Sequence, residues 1–422
     1  MLKSLVPFFI ILITLSFANA DTDEVPQVLL EPVEGSIEEQ DLDSQIDRST
    51  QCAGQVNTLL DKIQELTQQV SDIVGKYGEK VKWPRREDPD KIKVVNLQEE
   101  VLCLELMVFS QENNLDLNIN CQSKPKKMPP VHLRLVKNSN SESLLEYATK
   151  TLNKRKNRLR EAIAKEERLL KRGEYNKVEN YVQNAQNSIS RKRAEADCLD
   201  KYPDIETCPD SSVLEGNMPQ KNIRTILNAN YAEAPLLTIM VQHKGQLLPF
   251  KTMDKAEDNL IVRSGLGPKL VEGDEITPEG VFNLNSATTS TSYFTASKID
   301  YENWNNRGEL LSGLPPGQVN PQKKGGDVLI HGAGGSVGCL SLNNSKAAYI
   351  TALVRNKNQT REPIKISIYP GEMTTEFMQD LDQLDPQTKS FTNFWTKLKK
   401  SYDSEEGLVN SNVVTINKIS KK

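Results

Sequence analysis

The chain changes texture at Pro235, and that change constrains its architecture more than any other feature. Before Pro235, apolar residues recur at helical spacing. After it, LLTIMV (236–241), NLIVR (259–263), GVFNLN (280–285), DVLIHG (327–332) and IKISIY (364–369) are short and β-rich, and Gly, Pro, Asn and Asp separate them. TEFMQDLDQL (375–384) and FTNFWTKLKKSY (391–402) return to helical spacing, and VVTINKI (413–419) suits a last strand. The expected fold is α+β: a helical N-terminal region, hairpin or bundle, then a mainly β domain with C-terminal helices. The expected segments are 1–20, 21–48, 49–230 and 235–420.

The one long apolar run lies at the extreme N-terminus. Lys3 supplies a positive start, Leu5 to Phe17 an apolar stretch, and Ala18-Asn19-Ala20 a small-residue cleavage site. Residues 1–20 read as a signal peptide, too short to span a bilayer, so the mature chain is expected outside the cytosol. Residues 21–48 carry ten acidic residues and one Arg, lack periodicity, and read as a disordered acidic segment. Overall, 53 basic residues against 57 acidic ones leave no global positive field for nucleic acid.

Within 49–230, Cys52, Val56, Leu59, Ile63, Leu66, Val70, Ile73 and Tyr77 alternate four- and three-residue steps, which makes one apolar stripe along a helix. Leu97, Val101, Leu104 and Val108 repeat it, with KWPRREDPDK (82–91) as the connecting loop. Ser143 and Glu146 form a capping box for a third helix, and a fourth is expected through Val178 and Val182 to about Ala196. Lys154, Arg155, Lys156, Arg158 and Arg160 give the third helix a basic face, read as solvated. The heptad spacing of this helical half permits self-association but does not fix the oligomeric state, and an intramolecular hairpin is the commoner arrangement.

An exported chain usually pairs its cysteines. Cys198 and Cys208 bracket a short turn-rich loop and suit a local disulfide. An antiparallel hairpin centred near residue 87 sets Cys52 opposite residue 121, which favours Cys52–Cys121, with Cys103–Cys121 as the rival. Cys339, in a glycine-rich turn, looks chemical rather than structural.

That turn lies in GDVLIHGAGGSVGCLSL (326–342). A dinucleotide loop would need a helix directly after the glycines and an acidic residue at the end of the next strand. CLSLNN makes a poor first helical turn, and IKISIY ends in Pro370-Gly371. The alternative is a thiol–imidazole site. His331 ends an apolar strand, and Cys339 follows across a turn that can bring the side chains together. In that reading the N–H groups of Gly338 and Cys339 are free to hold an oxyanion, and Ser336 hydrogen-bonds inside the turn. Spacing alone leaves this level with a structural Cys and a satisfied His. His132 and His243 are expected to be structural or exposed. No HExxH, CxxC or metal-spaced carboxylate cluster occurs, so no metal is expected.

HGAGGSVGC resembles the signature of YkuD-type L,D-transpeptidases, in the compact form found in YafK-like murein enzymes. SGLGPKLVEGDEITPEGVF (264–282), YENWNNR (301–307), IYPGEMT (368–374) and FWTKLKKSYD (394–403) are similar to further family blocks in the same order. The resemblance covers about residues 235–410. It implies an L,D-transpeptidase-like catalytic domain with Cys339 as nucleophile and His331 as base. Ser336 and Gly338 would shape the turn, and Tyr301 and Arg307 would lie near the substrate. Lys269 and Glu279 fall at motif positions that hold the fold. The implied reaction is acyl transfer on peptidoglycan stem peptides in the periplasm, through a Cys thioester with release of D-Ala and no cofactor. A protein amine is one implied acceptor. Hydrolysis of stems or of protein–peptidoglycan links is the alternative activity, and a non-catalytic wall-binding protein the alternative class. Glu372, Gly371, Asn306 and the run 340–344 depart from the family pattern and imply a changed pocket rim.

Overall fold

The structure, a computed structural model, describes residues 39–78, 88–121, 128–140, 143–173, 179–201, 232–263, 265–269, 276–289, 292–301, 327–360, 364–384 and 392–409. The expected signal peptide, Cys208, Arg307 and VVTINKI lie outside them. The chain divides into two compact units, Met1–Gln51 and Cys52–Lys422. In the first, the described residues are helical from Glu39, so the end of the acidic segment expected to be disordered is helix.

Helix α1 spans Glu39–Tyr77 and α2 spans Pro89–Glu112. Proline at the first position of α2 wastes no backbone donor, and Asp88 caps the end by accepting from Asp90 N–H at 3.0 Å. The expected stripe of α1 is the buried one: Leu66, Val70 and Ile73 are buried, with Leu59 and Ile63 partly so. Burial on α2 exceeds one stripe. Val94, Val95, Leu102, Leu106 and Phe109 join Val101, Leu104 and Val108, because α2 also packs along a later helix, α6 (Asn344–Thr360). Helix α3 (Leu144–Lys171) opens on the Ser143–Glu146 capping box and packs on α4 (Glu179–Lys201). On its basic face, Lys154 reaches Glu233 at 2.6 Å.

The second unit is built on a sheet in the order β3-β2-β1-β8-β4-β5-β6-β7. The strands are β1 (Val131–Asn138), β2 (Leu236–His243), β3 (Gln246–Asp254), β4 (Gly280–Thr289), β5 (Thr295–Ile299), β6 (Leu329–His331), β7 (Leu340–Ser341) and β8 (Ile364–Gly371). Neighbours are antiparallel except β1–β8 and β6–β7. No strand is expected between residues 49 and 230, yet β1 comes from there and lies inside the sheet, antiparallel to β2. Its alternation fits the place: Leu133 and Leu135 are fully buried, while His132 and Arg134 are only partly so. The apolar core is continuous from Leu66, Leu102 and Phe109 of the hairpin through Leu133, Ile239, Ile330 and Ile366 of the sheet. Helices α7 (Thr375–Leu384) and α8 (Thr392–Glu406) match the expected C-terminal helices. A short helix, α5 (Lys255–Asp258), follows β3.

The cysteine reading is corrected at one pair. Cys103 and Cys121 are bonded, the rival of the expected Cys52–Cys121 bridge. The expected Cys103, a buried apolar side chain of α2, is therefore also a crosslink. No helix among the described residues is long and apolar enough to cross a membrane.

Candidate functional site

Two very short strands carry the thiol and the imidazole. In β6 and β7, Ile330 pairs with Leu340 and His331 with Ser341, in parallel. Extending that register by one residue sets Cys339 opposite Leu329. Cys339 directly precedes β7 and His331 ends β6, so the thiol and the imidazole are carried by neighbouring ends of one parallel pair. Tyr293 touches both environments: its ring lies 4.2 Å from the His331 ring centre, and the Cys339 charge helps raise its hydroxyl pKa, after burial. Tyr293 was not among the expected site residues. Only a ring in a serine- and threonine-rich loop marks it in the sequence.

His331 is buried, and its Nδ1 lies 2.7 Å from the Gly332 carbonyl. A carbonyl only accepts, so Nδ1 carries the proton and Nε2 keeps the lone pair of the neutral ring. Burial pushes the imidazole pKa down, with the Gly332 bond opposing it. Cys339 is half-buried and is a free cysteine. Burial pushes its thiol pKa up, against the Leu329 N–H and the charge of Lys269. Its Sγ lies 3.5 Å from Leu329 N and 3.7 Å from the Asp327 carbonyl. Both shifts favour a neutral thiol beside a neutral imidazole at rest. The sulfur is turned to the backbone of residues 327–329, and among the described residues it makes no hydrogen bond to His331.

The turn itself is held from inside. Ser336 Oγ donates to the Cys339 carbonyl and accepts the Gly338 N–H at 3.2 Å. Gly338 N–H is therefore engaged, which corrects its expected role as a free oxyanion donor. Gly338 has φ +107°, and a Cβ there would come within 3.0 Å of the Ile276 carbonyl, so this position requires glycine. Arg263 Nε donates to the Ser336 carbonyl at 2.9 Å.

Behind that side lies a buried charge network. Lys137 of β1 pairs with Glu279 at 2.9 Å, both side chains fully buried. Lys137 also donates to the carbonyls of Gly265 (2.6 Å) and Thr277 (3.1 Å). Glu279 accepts from Gly267 N–H (2.9 Å) and Trp395 Nε1 (3.0 Å). Tyr301 was expected beside the substrate. It is instead buried in the core, its ring on Phe282 and its hydroxyl on the Lys269 carbonyl at 2.5 Å. Gly371 and Glu372 are both engaged locally. A side chain at Gly371 would strike the ring of Phe377 at 2.7 Å, and Glu372 is engaged by Tyr402.

Fold and site together define an α+β protein with a cysteine and a histidine on adjacent strand ends, joined by a glycine-rich turn. Two curated relatives, both named "Putative L,D-transpeptidase YafK", come from Escherichia coli K12 and O157:H7. Each is 29% identical to the chain over 142 residues, which is 33% of this chain and 51% of the relative. The chain thus spans about half the length of the curated relatives it matches. No protein-family model and no solved structure matches it.

Proposed function

We propose that the protein is an exported, periplasmic cysteine acyltransferase acting on peptidoglycan stem peptides, an L,D-transpeptidase. The observation that carries this reading is the hydrogen bond of His331 Nδ1 to the Gly332 carbonyl, which leaves Nε2 as a base at the end of β6, with the free thiol of Cys339 directly before the parallel strand β7. The limited similarity to the Escherichia coli relatives supports the substrate class. The Cys103–Cys121 disulfide supports an oxidising compartment.

Rotation about the Cys339 side chain releases the sulfur from Leu329 and turns it toward His331. Hydrogen bonds of catalytic pairs commonly tighten only when substrate binds. The thiol proton passes to Nε2, and sulfur bonds to the carbonyl carbon between the third stem residue and the terminal D-Ala. The Cys339 N–H faces the developing oxyanion, since Gly338 N–H is committed to Ser336. Collapse breaks the C–N bond, the imidazolium returns its proton to the leaving amine, and D-Ala departs. An amine acceptor then takes the acyl group from sulfur. Val337, exposed beside the nucleophile, offers an apolar contact to the incoming chain.

Digestion of purified sacculi with the mature protein and with Cys339→Ala, read by muropeptide mass spectrometry, tests this. New cross-linked dimers with loss of D-Ala are expected from the intact protein only. Trimmed stems or released protein stubs would assign hydrolysis instead, and identical digests would refute both.

A further inference from the structure

The turn between His331 and Cys339 has a second anchor, on the side away from the charge network. Ala333 sits at φ +63°, a left-handed conformation that an alanine adopts only at a cost. Its N–H donates to Asn344 Oδ1 at 2.8 Å. Gly332, next to it, passes so close that a Cβ there would lie 2.5 Å from the same oxygen. Asn344 is fully buried at the start of α6, whose cap is its neighbour Asn343, accepting from Lys346 N–H at 2.9 Å. Capping of α6 thus falls to Asn343, and the Asn344 amide serves the turn. Its Nδ2 donates to the carbonyl of Gly78, at the end of α1, at 3.3 Å. One side chain thus joins the strained residue of the turn to the N-terminal hairpin.

The same junction is packed from the imidazole side. Phe294 is buried with Val70, Val74, Val94, Val95 and Ala348, which belong to α1, α2 and α6. The preceding residue, Tyr293, carries the ring that lies on His331.

We infer that Asn344 is a positioning residue for acyl transfer: it holds the Gly332–Ala333 bend and fixes the catalytic turn to the C-terminal end of α1. The N-terminal hairpin is then part of the site's support rather than an appended module. This inference rests on the Cys339–His331 reading above.

The test uses the full mature chain with Cys339→Ala, Asn344→Ala and Asn344→Asp. Asp keeps the acceptor for Ala333 N–H, loses the donor to Gly78, and is tolerated at a helix start. D-Ala release from tetrapeptide stems gives kcat and KM, and iodoacetamide alkylation of Cys339 reports the turn without substrate. Asn344→Ala should lower kcat about tenfold with KM nearly unchanged, as expected for a lost alignment rather than lost binding. Asn344→Asp, which restores the acceptor for Ala333 N–H but not the tie to Gly78, should recover only part of that loss, and alkylation should quicken several-fold in Asn344→Ala. Wild-type kcat in Asn344→Ala, with Cys339→Ala inactive, overturns the positioning role alone. Activity persisting in Cys339→Ala overturns the nucleophile reading and this inference with it. Should Asn344→Ala not fold, wild-type kcat and alkylation in Asn344→Asp overturn the tie to α1.

Discussion

The glycine-rich turn between His331 and Cys339 is held on two sides by different physics. On the side of residues 263–279, the support is ionic and buried. Lys137 and Glu279 pair with both side chains out of solvent, and Gly267, Trp395, Gly265 and Thr277 satisfy their remaining groups. On the hairpin side, the support is apolar packing around Phe294 plus one neutral amide, Asn344. A buried ion pair is costly to break because the surviving partner is left charged in a low-dielectric interior. A neutral amide costs less to lose and gives direction more than stability. The first side therefore governs whether the domain folds, and the second how accurately the turn is aimed.

Breaking the ionic side should have the largest effect. Glu279→Ala leaves the Lys137 ammonium buried without its carboxylate, and about 3–5 kcal/mol of stability should go. Urea unfolding followed by circular dichroism measures this. Replacing both Lys137 and Glu279 by apolar residues of similar size should cost much less than either single change, which would sharpen the contrast with Asn344.

On the hairpin side, Cys103→Ser with Cys121→Ser opens a crosslink of sequence separation 18. The chain-entropy model assigns about 3 kcal/mol to a loop of that size. Thermal melts with and without reductant should show the loss for the intact pair only, and the double variant should ignore reductant.

At the turn, Gly338→Ala forces a side chain against the Ile276 carbonyl in a conformation that disfavours Cβ. The strain is about 1–3 kcal/mol. If Cys339 acts as proposed, activity should fall further than melting temperature does, because the displaced atoms are next to Cys339.

The smallest effects are in the pH profiles. The raised thiol pKa means that Cys339 alkylation should keep climbing with pH beyond the ordinary thiol value of about 8.5. The lowered imidazole pKa keeps His331 neutral, and acyl transfer constant, down past the ordinary value of about 6.5. A thiolate–imidazolium resting pair would give the reverse: fast alkylation in mild acid.

The contrast between the two sides was unequally legible in the sequence. The α1 stripe, the Ser143 box and the strands after Pro235 announce themselves through local periodicity and capping. The turn, with His331 and Cys339, is visible as a motif. What stayed hidden depends on pairing over long separations. Strand β1 stands alone among helical segments, and its Val-His-Leu-Arg-Leu alternation gains its meaning only when β2 and β8 lie on either side of it. Lys137 becomes a fold determinant only once β1 is placed beside β8. Tyr301 is placed near the substrate by the resemblance of YENWNNR alone, and no local pattern announces that its ring is buried against Phe282. The Cys103–Cys121 choice turned on how residues 113–121 fold back, which hairpin geometry alone did not fix.

The most direct measurement is intact-protein mass spectrometry of the chain mixed with tetrapeptide stems and quenched in acid, with the modified residue mapped by digestion. The account predicts an adduct equal to the stem acyl group without its terminal D-Ala, carried on Cys339 and absent from Cys339→Ser. Stems that are processed while Cys339 stays unmodified, or an adduct that survives in Cys339→Ser, would contradict it.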